Sequence, residues 1–110
     1  EPASATNARA LFEDRYTEAF AAADRVVMTK VPRPERARDD PPMDAARVVE
    51  APTQRGIPSV YIPEPDQVVD HLVKKVDAGD LVIFMSNGGF CGIQRRTLQS
   101  LQETFDRQRK

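Results

Sequence analysis

Ser86-Asn87-Gly88-Gly89-Phe90-Cys91-Gly92 is the stretch of this chain whose residue types could do chemistry together. It follows an unbroken apolar run, Leu81 to Met85, and helix-like sequence resumes at Gly92. In an open α/β sheet ligands collect where strands end at their carboxyl edge, and residues 86–92 fall at such an edge. Gly88 and Gly89 permit positive φ and close backbone approach. Successive N–H groups can then converge, and the amino end of the next helix adds partial positive charge. The chemistry this describes is the cradling of a carboxylate or phosphate, with Ser86 and Asn87 adding side-chain hydrogen bonds. The same residues also suit a tight strand-to-helix connection that binds nothing, and they do not make the spaced GxGxxG of a dinucleotide site.

Cys91 introduces a rival chemistry, because a thiol beside a helix N-terminus can act as a nucleophile. A cysteine phosphatase places an arginine six positions after that cysteine. Here the position holds Thr97, and Arg95 and Arg96 fall short of it. A small, partly buried thiol is the simpler reading. His71 is the single histidine and Cys91 the single cysteine, so no disulfide framework and no multi-cysteine zinc site can form within the chain, and no metal site is expected. Glu13, Asp14 and Glu18 cluster on one segment, but Arg9 and Arg15 interleave with them as on a solvated helix face. No GxxxxGK[ST] segment occurs, so the chain carries no phosphate-binding loop for ATP of its own.

The elements that must position residues 86–92 follow from hydrophobic spacing. Ala8, Leu11, Phe12, Tyr16, Ala19, Phe20 and Ala23 make one face of an amphipathic helix capped by Thr6 or Asn7. Arg25–Val31 reads as a buried strand ended by Pro32, and the proline-rich, mixed-charge segment from Pro32 to Pro42 as a solvated loop. Met43–Glu50 predicts a short helix with Met43, Ala46 and Val49 inward, limited by Pro52, with a turn at Gly56. Ser59–Ile62 predicts a second strand. A helix from about Asp66, with Pro65 in its first turn, buries Val68, Val69, Leu72, Val73 and Val76, exposes Asp70, Lys74, Lys75 and Asp77, and stops at Gly79. The apolar run 81–85 predicts a third strand, and Ile93, Thr97, Leu98, Leu101 and Phe105 the inner stripe of a last helix that frays from Asp106 to Lys110.

Helices alternating with strands predict an α/β fold with a parallel sheet, since each strand is followed by a crossover helix. A helix at the start implies that one or more strands of the domain precede Glu1. With 110 residues the chain fits one domain or part of one. Sixteen basic residues against seventeen acidic ones leave a net charge of −1, which provides no field for nucleic acid or an anionic membrane. No apolar run approaches the length of a membrane span and no signal-peptide pattern opens the chain, so a cytoplasmic setting is expected. A rival reading of the residues is a freestanding α/β anion-binding or regulatory module.

MSNGGFCGIQRRTLQSL strongly resembles the end of the Mur ligase family. GIPSVYIPEPDQVVDHLVKKVDAGDLVIFMSNGGF is similar to that family's approach to the same loop, EPASATNARALF resembles its EPRSNT-type entry into a helix, and EAFAAADRVVMTKVPRPE the strand and loop that follow. Cys91 stands where glycine or aspartate is more usual, Gln94 replaces a usual histidine, and Ala3 and Ala5 replace an arginine and an asparagine. The resemblance is closest to members that join UDP-N-acetylmuramate to L-alanyl-γ-D-glutamyl-meso-diaminopimelate in the recycling of cell-wall peptides. It implies that residues 1–110 are the C-terminal domain of a three-domain ligase, a Rossmann-like, three-layer unit with a mostly parallel sheet that closes over a central ATPase domain. It implies ATP and magnesium as cofactors of the whole enzyme, held upstream, and an acyl-phosphate intermediate attacked by the peptide's amine. Within this chain it implies no catalytic residue. Ser86, Asn87, Gly88, Gly89 and Phe90 would instead grip a carboxylate of the peptide, and Ser4 and Thr6 would line the cleft.

Overall fold

The structure, a computed structural model, describes residues 13–32, 34–37, 41–86 and 89–108, without the side chains of Glu13, Asp14, Thr17 and Arg36. Two strands, β1 (Val26–Met28) and β2 (Ser59–Tyr61), pair in parallel with Val26 opposite Ser59 and Met28 opposite Tyr61. The hydrogen bonding runs past both ends. The Val26 N–H donates to the Pro58 carbonyl at 3.0 Å, the Ile62 N–H to Met28 at 2.8 Å and the Lys30 N–H to Pro63 at 3.5 Å. The α/β class with a parallel sheet is therefore as the sequence implied.

Alternation along the strands sends side chains to opposite faces. Met28 and Tyr61 meet Met43, Ala45, Val48 and Val49, with Tyr16, Phe20 and Val31 packed against them. Val27 and Ile62 meet Val68, Val69, Phe90 and Ile93, with Leu72, Val73 and Phe84 at the margin. Helices α1 (Glu13–Ala19), α2 (Ala45–Val48) and α3 (Glu50–Gln54) thus serve one face of the sheet. The longer α4 (Pro65–Lys75) and α5 (Ile93–Gln108) serve the other.

Several boundaries depart from expectation for physical reasons. Helix α1 passes at Phe20 into a 3-10 turn, Phe20–Ala22; Tyr16 and Phe20 are tilted rings with centroids 5.9 Å apart, whereas Ala19 is exposed. The expected positions Ala8, Leu11 and Phe12 and the caps Thr6 or Asn7 lie outside the described residues. Within the predicted solvated loop, Pro34–Ala37 forms a 3-10 turn and Ala37 is only 1% exposed, a core contact that composition hid. Ala46 points outward while Ala45 and Val48 are buried, because the Asp44 carboxylate accepts from the Arg47 N–H at 3.3 Å and fixes where α2 begins. Pro52 does not end a helix. It is the third residue of α3, where an N–H would lack an intrahelical acceptor anyway, and its ring is buried. The stop lies at Gly56, φ +86, where the Ile57 N–H reaches the Pro52 carbonyl and the Gly56 N–H that of Thr53, a paired C-terminal closure that needs a left-handed residue.

Helix α4 follows the sequence closely, with Pro65 at its first position and Val68 and Val69 buried. It ends at Lys75, before Gly79. Gly79, φ +94, serves instead the Asp77–Asp80 turn, in which the Asp80 carboxylate accepts from the Asp77 N–H at 2.8 Å. The predicted third strand is not formed among the described residues. Residues 81–86 carry a period-two pattern, with Leu81, Ile83 and Met85 exposed by 85%, 70% and 69% and Val82 and Phe84 turned inward, but no ladder joins them to β1 or β2. An apolar, alternating run supplies the pleat, and a strand also requires a neighbour to pair with. On α5, Ile93 and Thr97 are buried, whereas Leu98, expected on the inner stripe, is 60% exposed.

Candidate functional site

The loop before α5 has an unusual backbone. Gly89 is right-handed at φ −72, ψ −14, and Phe90 (φ 53), Cys91 (φ 53, ψ 22) and Gly92 (φ 70) then follow in the left-handed region. Positive φ was expected of Gly89 and falls instead on the three residues after it. A right-handed residue followed by left-handed ones turns consecutive N–H groups toward one side, the concavity that binds anions in many loops. The Gly92 N–H is engaged, donating to the Gly89 carbonyl at 3.1 Å. Space above Gly89 is open, with no heavy atom within 4 Å of where a Cβ would stand.

Phe90 holds this backbone in place. Its ring is buried with Val68, Val69 and Ile93 and meets Phe84 edge-on at 6.3 Å and 86°. What Phe90 can offer a ligand is its amide, because its side chain is part of the core. Ser86 is half-buried at the end of the extended segment. Asn87 and Gly88, like Ser4 and Thr6, lie outside the described residues.

A feature that sequence reasoning missed lies on the same edge. Lys30, just past β1, contacts Glu64, just past β2, with its Nζ 3.0 Å from Oε1 and 3.3 Å from Oε2. The hydrogen bond donated to Glu64 and that carboxylate's charge push the Lys30 ammonium above the ordinary lysine value, and Cys91 and Tyr61 are near enough to add in the same direction. Lys30 and Glu64 therefore meet at the carboxyl edge of the sheet, beyond Met28 and Tyr61. Strand register supplies the reason, since the Lys30–Pro63 backbone contact sets Glu64 one residue beyond Lys30's partner. No spacing in the sequence signals this pair: Lys30 falls inside the predicted strand Arg25–Val31, and Pro63 separates Glu64 from the predicted strand Ser59–Ile62.

Other candidates fall away from this edge or stay ordinary. Cys91 is exposed, and Thr97, where a cysteine phosphatase needs its arginine, is buried. Arg96 is turned to Asp66 on the first turn of α4 at 2.6 Å. His71 is half-buried on α4, where burial first, and then Lys75, Arg25 and Lys74, hold its imidazole below the usual histidine range. Glu18 is exposed on α1. Among the described residues no three His, Cys, Asp or Glu side chains converge as a metal site, and no helix is long and apolar enough to cross a membrane. The sequence has no ATP phosphate loop, so these residues do not fit ATP or magnesium and no step through either is assigned to them.

Comparison with known proteins gives two similarities. The chain is 33% identical over 92 residues to the UDP-N-acetylmuramate–L-alanine ligase of Symbiobacterium thermophilum, covering 81% of this chain and 19% of that ligase. It is 26% identical over 99 residues to the UDP-N-acetylmuramate–L-alanine ligase of Caldanaerobacter subterraneus subsp. tengcongensis, covering 90% of this chain and 21% of that ligase. These findings support the Mur ligase family. The chain spans about a fifth of the length of these curated Mur ligases. No protein-family model matches it, and no solved structure gives a significant match.

Proposed function

We propose that this chain is the C-terminal, substrate-binding domain of an ATP-dependent Mur ligase that forms an amide bond between the carboxylate of UDP-N-acetylmuramate and the alanyl amine of L-alanyl-γ-D-glutamyl-meso-diaminopimelate, the reaction of a murein peptide ligase in peptidoglycan recycling. The observation that supports the ligase part of this reading is that at least four fifths of the chain is similar to ligases named for UDP-N-acetylmuramate and L-alanine, whereas the choice of the tripeptide rests on the resemblance of MSNGGFCGIQRRTLQSL and its flanking stretches. Both donors present an alanyl amine to the same carboxylate. They differ beyond it, where free L-alanine ends in its own carboxylate and the tripeptide continues.

The role of this chain's residues is to bind and orient the amine donor. The amides around Gly89 and Phe90, with Ser86, Asn87 and Gly88, hold a carboxylate of the donor and so fix where its amine lies, the entropic part of catalysis. A role for Ser4 and Thr6 at the same cleft is part of this proposal and rests on the resemblance of EPASATNARALF alone. ATP and magnesium belong to the central domain of the complete protein, and the 110 residues alone neither hydrolyse ATP nor ligate.

The test is ligation by the full-length protein with UDP-N-acetylmuramate, ATP and magnesium, offered either L-alanine or the tripeptide, with the product weighed by mass spectrometry. The tripeptide adduct is expected, and Ser86→Ala or Asn87→Ala should raise KM for the tripeptide. An adduct with L-alanine alone would replace this reading with the reaction of the curated relatives. Wild-type kinetics in both variants would remove the loop from the site.

A further inference from the structure

We propose that Lys30 is a specificity-determining contact of the amine donor: its ammonium receives a carboxylate of the incoming peptide, and Glu64 occupies that position until the carboxylate arrives. The proposal rests on the ligase reading and deepens it.

Glu64 stands at the cap position of α4, yet its side chain makes no capping hydrogen bond there and is turned to Lys30 instead. Its carboxylate sits on Lys30 as a donor's carboxylate would, with the Lys30 ammonium 3.0 and 3.3 Å from its two oxygens. Both side chains are about half exposed, and an ion pair in contact with water is weak enough for another carboxylate to displace. Displacement leaves no stranded charge. Glu64 remains beside the amino end of α4, where the helix dipole favours a negative group.

Position selects the ligand. Lys30 lies on the edge that carries the left-handed turn at residues 90–92: its N–H donates to the Pro63 carbonyl, and Ile62 next to Pro63 packs in the same cluster as Phe90. An amino acid with a single carboxylate could satisfy one of these two places. A peptide with glutamyl and diaminopimelyl residues brings several carboxylates separated along its length, enough for one to meet the loop amides and another Lys30.

Steady-state kinetics of the full-length protein with L-alanyl-γ-D-glutamyl-meso-diaminopimelate test this with Lys30→Met, Lys30→Arg and Glu64→Gln. Loss of a charged hydrogen bond predicts a KM for the tripeptide raised about tenfold or more in Lys30→Met, with kcat and the KM for UDP-N-acetylmuramate changed less than about twofold. Lys30→Arg should recover most of the loss. Glu64→Gln should lower the tripeptide KM, because the competing carboxylate is gone. An unchanged KM in Lys30→Met overturns the proposal, as does an equal rise in Lys30→Met and Glu64→Gln, which is the behaviour of a bridge that only holds the fold. If the unsubstituted protein ligates no tripeptide, the ligase reading fails and this proposal with it; ligation that is indifferent to Lys30 removes only the proposal.

Discussion

Cys91 adopts φ 53, ψ 22, a conformation in which an L side chain crowds the neighbouring carbonyl by about 1–2 kcal/mol. Glycine escapes that crowding, although its freer unfolded chain offsets about 0.5–1 kcal/mol of the gain. Cys91→Gly should therefore leave the 110-residue chain as stable as before or more stable by up to roughly 1 kcal/mol. Gly92→Ala should move the other way, by up to roughly 1 kcal/mol once the same offset is counted. No atom lies within 4 Å of a Cβ built at Gly92, so this loss is conformational and owes nothing to a clash. Urea unfolding midpoints read both effects, and a Cys91→Gly chain that unfolds earlier would show that the thiol contributes packing outweighing its backbone strain. At this scale the site was partly legible. Residue types permitted a left-handed turn at Gly88 and Gly89; Gly89 is right-handed and the positive φ falls on Phe90, Cys91 and Gly92, while Gly88 lies outside the described residues. Phe90 shows why: burying its ring beside Ile93 fixes the chain direction, and the turn must then reverse around it.

Elements were legible in proportion to how much local chemistry determines them. Helix α4 needs only Pro65 at its start and a 3.6-residue stripe, and both are written in the sequence. Residues 81–85 have equally clear patterning, but pairing depends on a neighbour that spacing does not encode, and no ladder forms among the described residues. Lys30 and Glu64 were invisible for the same reason, since their meeting depends on the register of β1 against β2. On α5 the stripe was read too wide. Ile93 is fully buried against α4 residues Val68 and Val69, whereas Leu98 is largely in water. Truncating a buried Ile to Ala costs about 2–5 kcal/mol, so Ile93→Ala should loosen the packing of α5 on α4 and with it the loop that Phe90 anchors. Leu98→Ala should change stability by less than about 0.5 kcal/mol. Hydrogen exchange gives the comparison at element resolution: faster exchange along α4 and α5 in Ile93→Ala and none in Leu98→Ala. Equal exchange in both variants would mean that α5 is held by something other than this contact.

For the molecule as a whole, sixteen positive and seventeen negative charges nearly cancel, so its pH response is set by local placement more than by net charge. His71 is the group placed to set it near neutrality. It sits half-buried on α4; burial first, and then the charges of Lys75, Arg25 and Lys74, disfavour the imidazolium. Its folded value lies below the 6.5 of an unperturbed histidine, which the unfolded chain keeps. Between the two values the unfolded state binds more protons, so stability rises with pH there. The contribution is complete above about pH 6.5 and is lost as pH falls through the folded value. His71→Gln, which keeps a polar helix-compatible side chain and cannot titrate, should remove this slope while leaving the steeper losses at lower pH that carboxylates produce. Urea unfolding at intervals from about pH 7.5 downward distinguishes the outcomes. A slope near pH 6 that survives in His71→Gln would assign the effect elsewhere, and a slope of opposite sign in the parent chain would mean that His71 gains an acidic partner on folding, contrary to the cations that surround it.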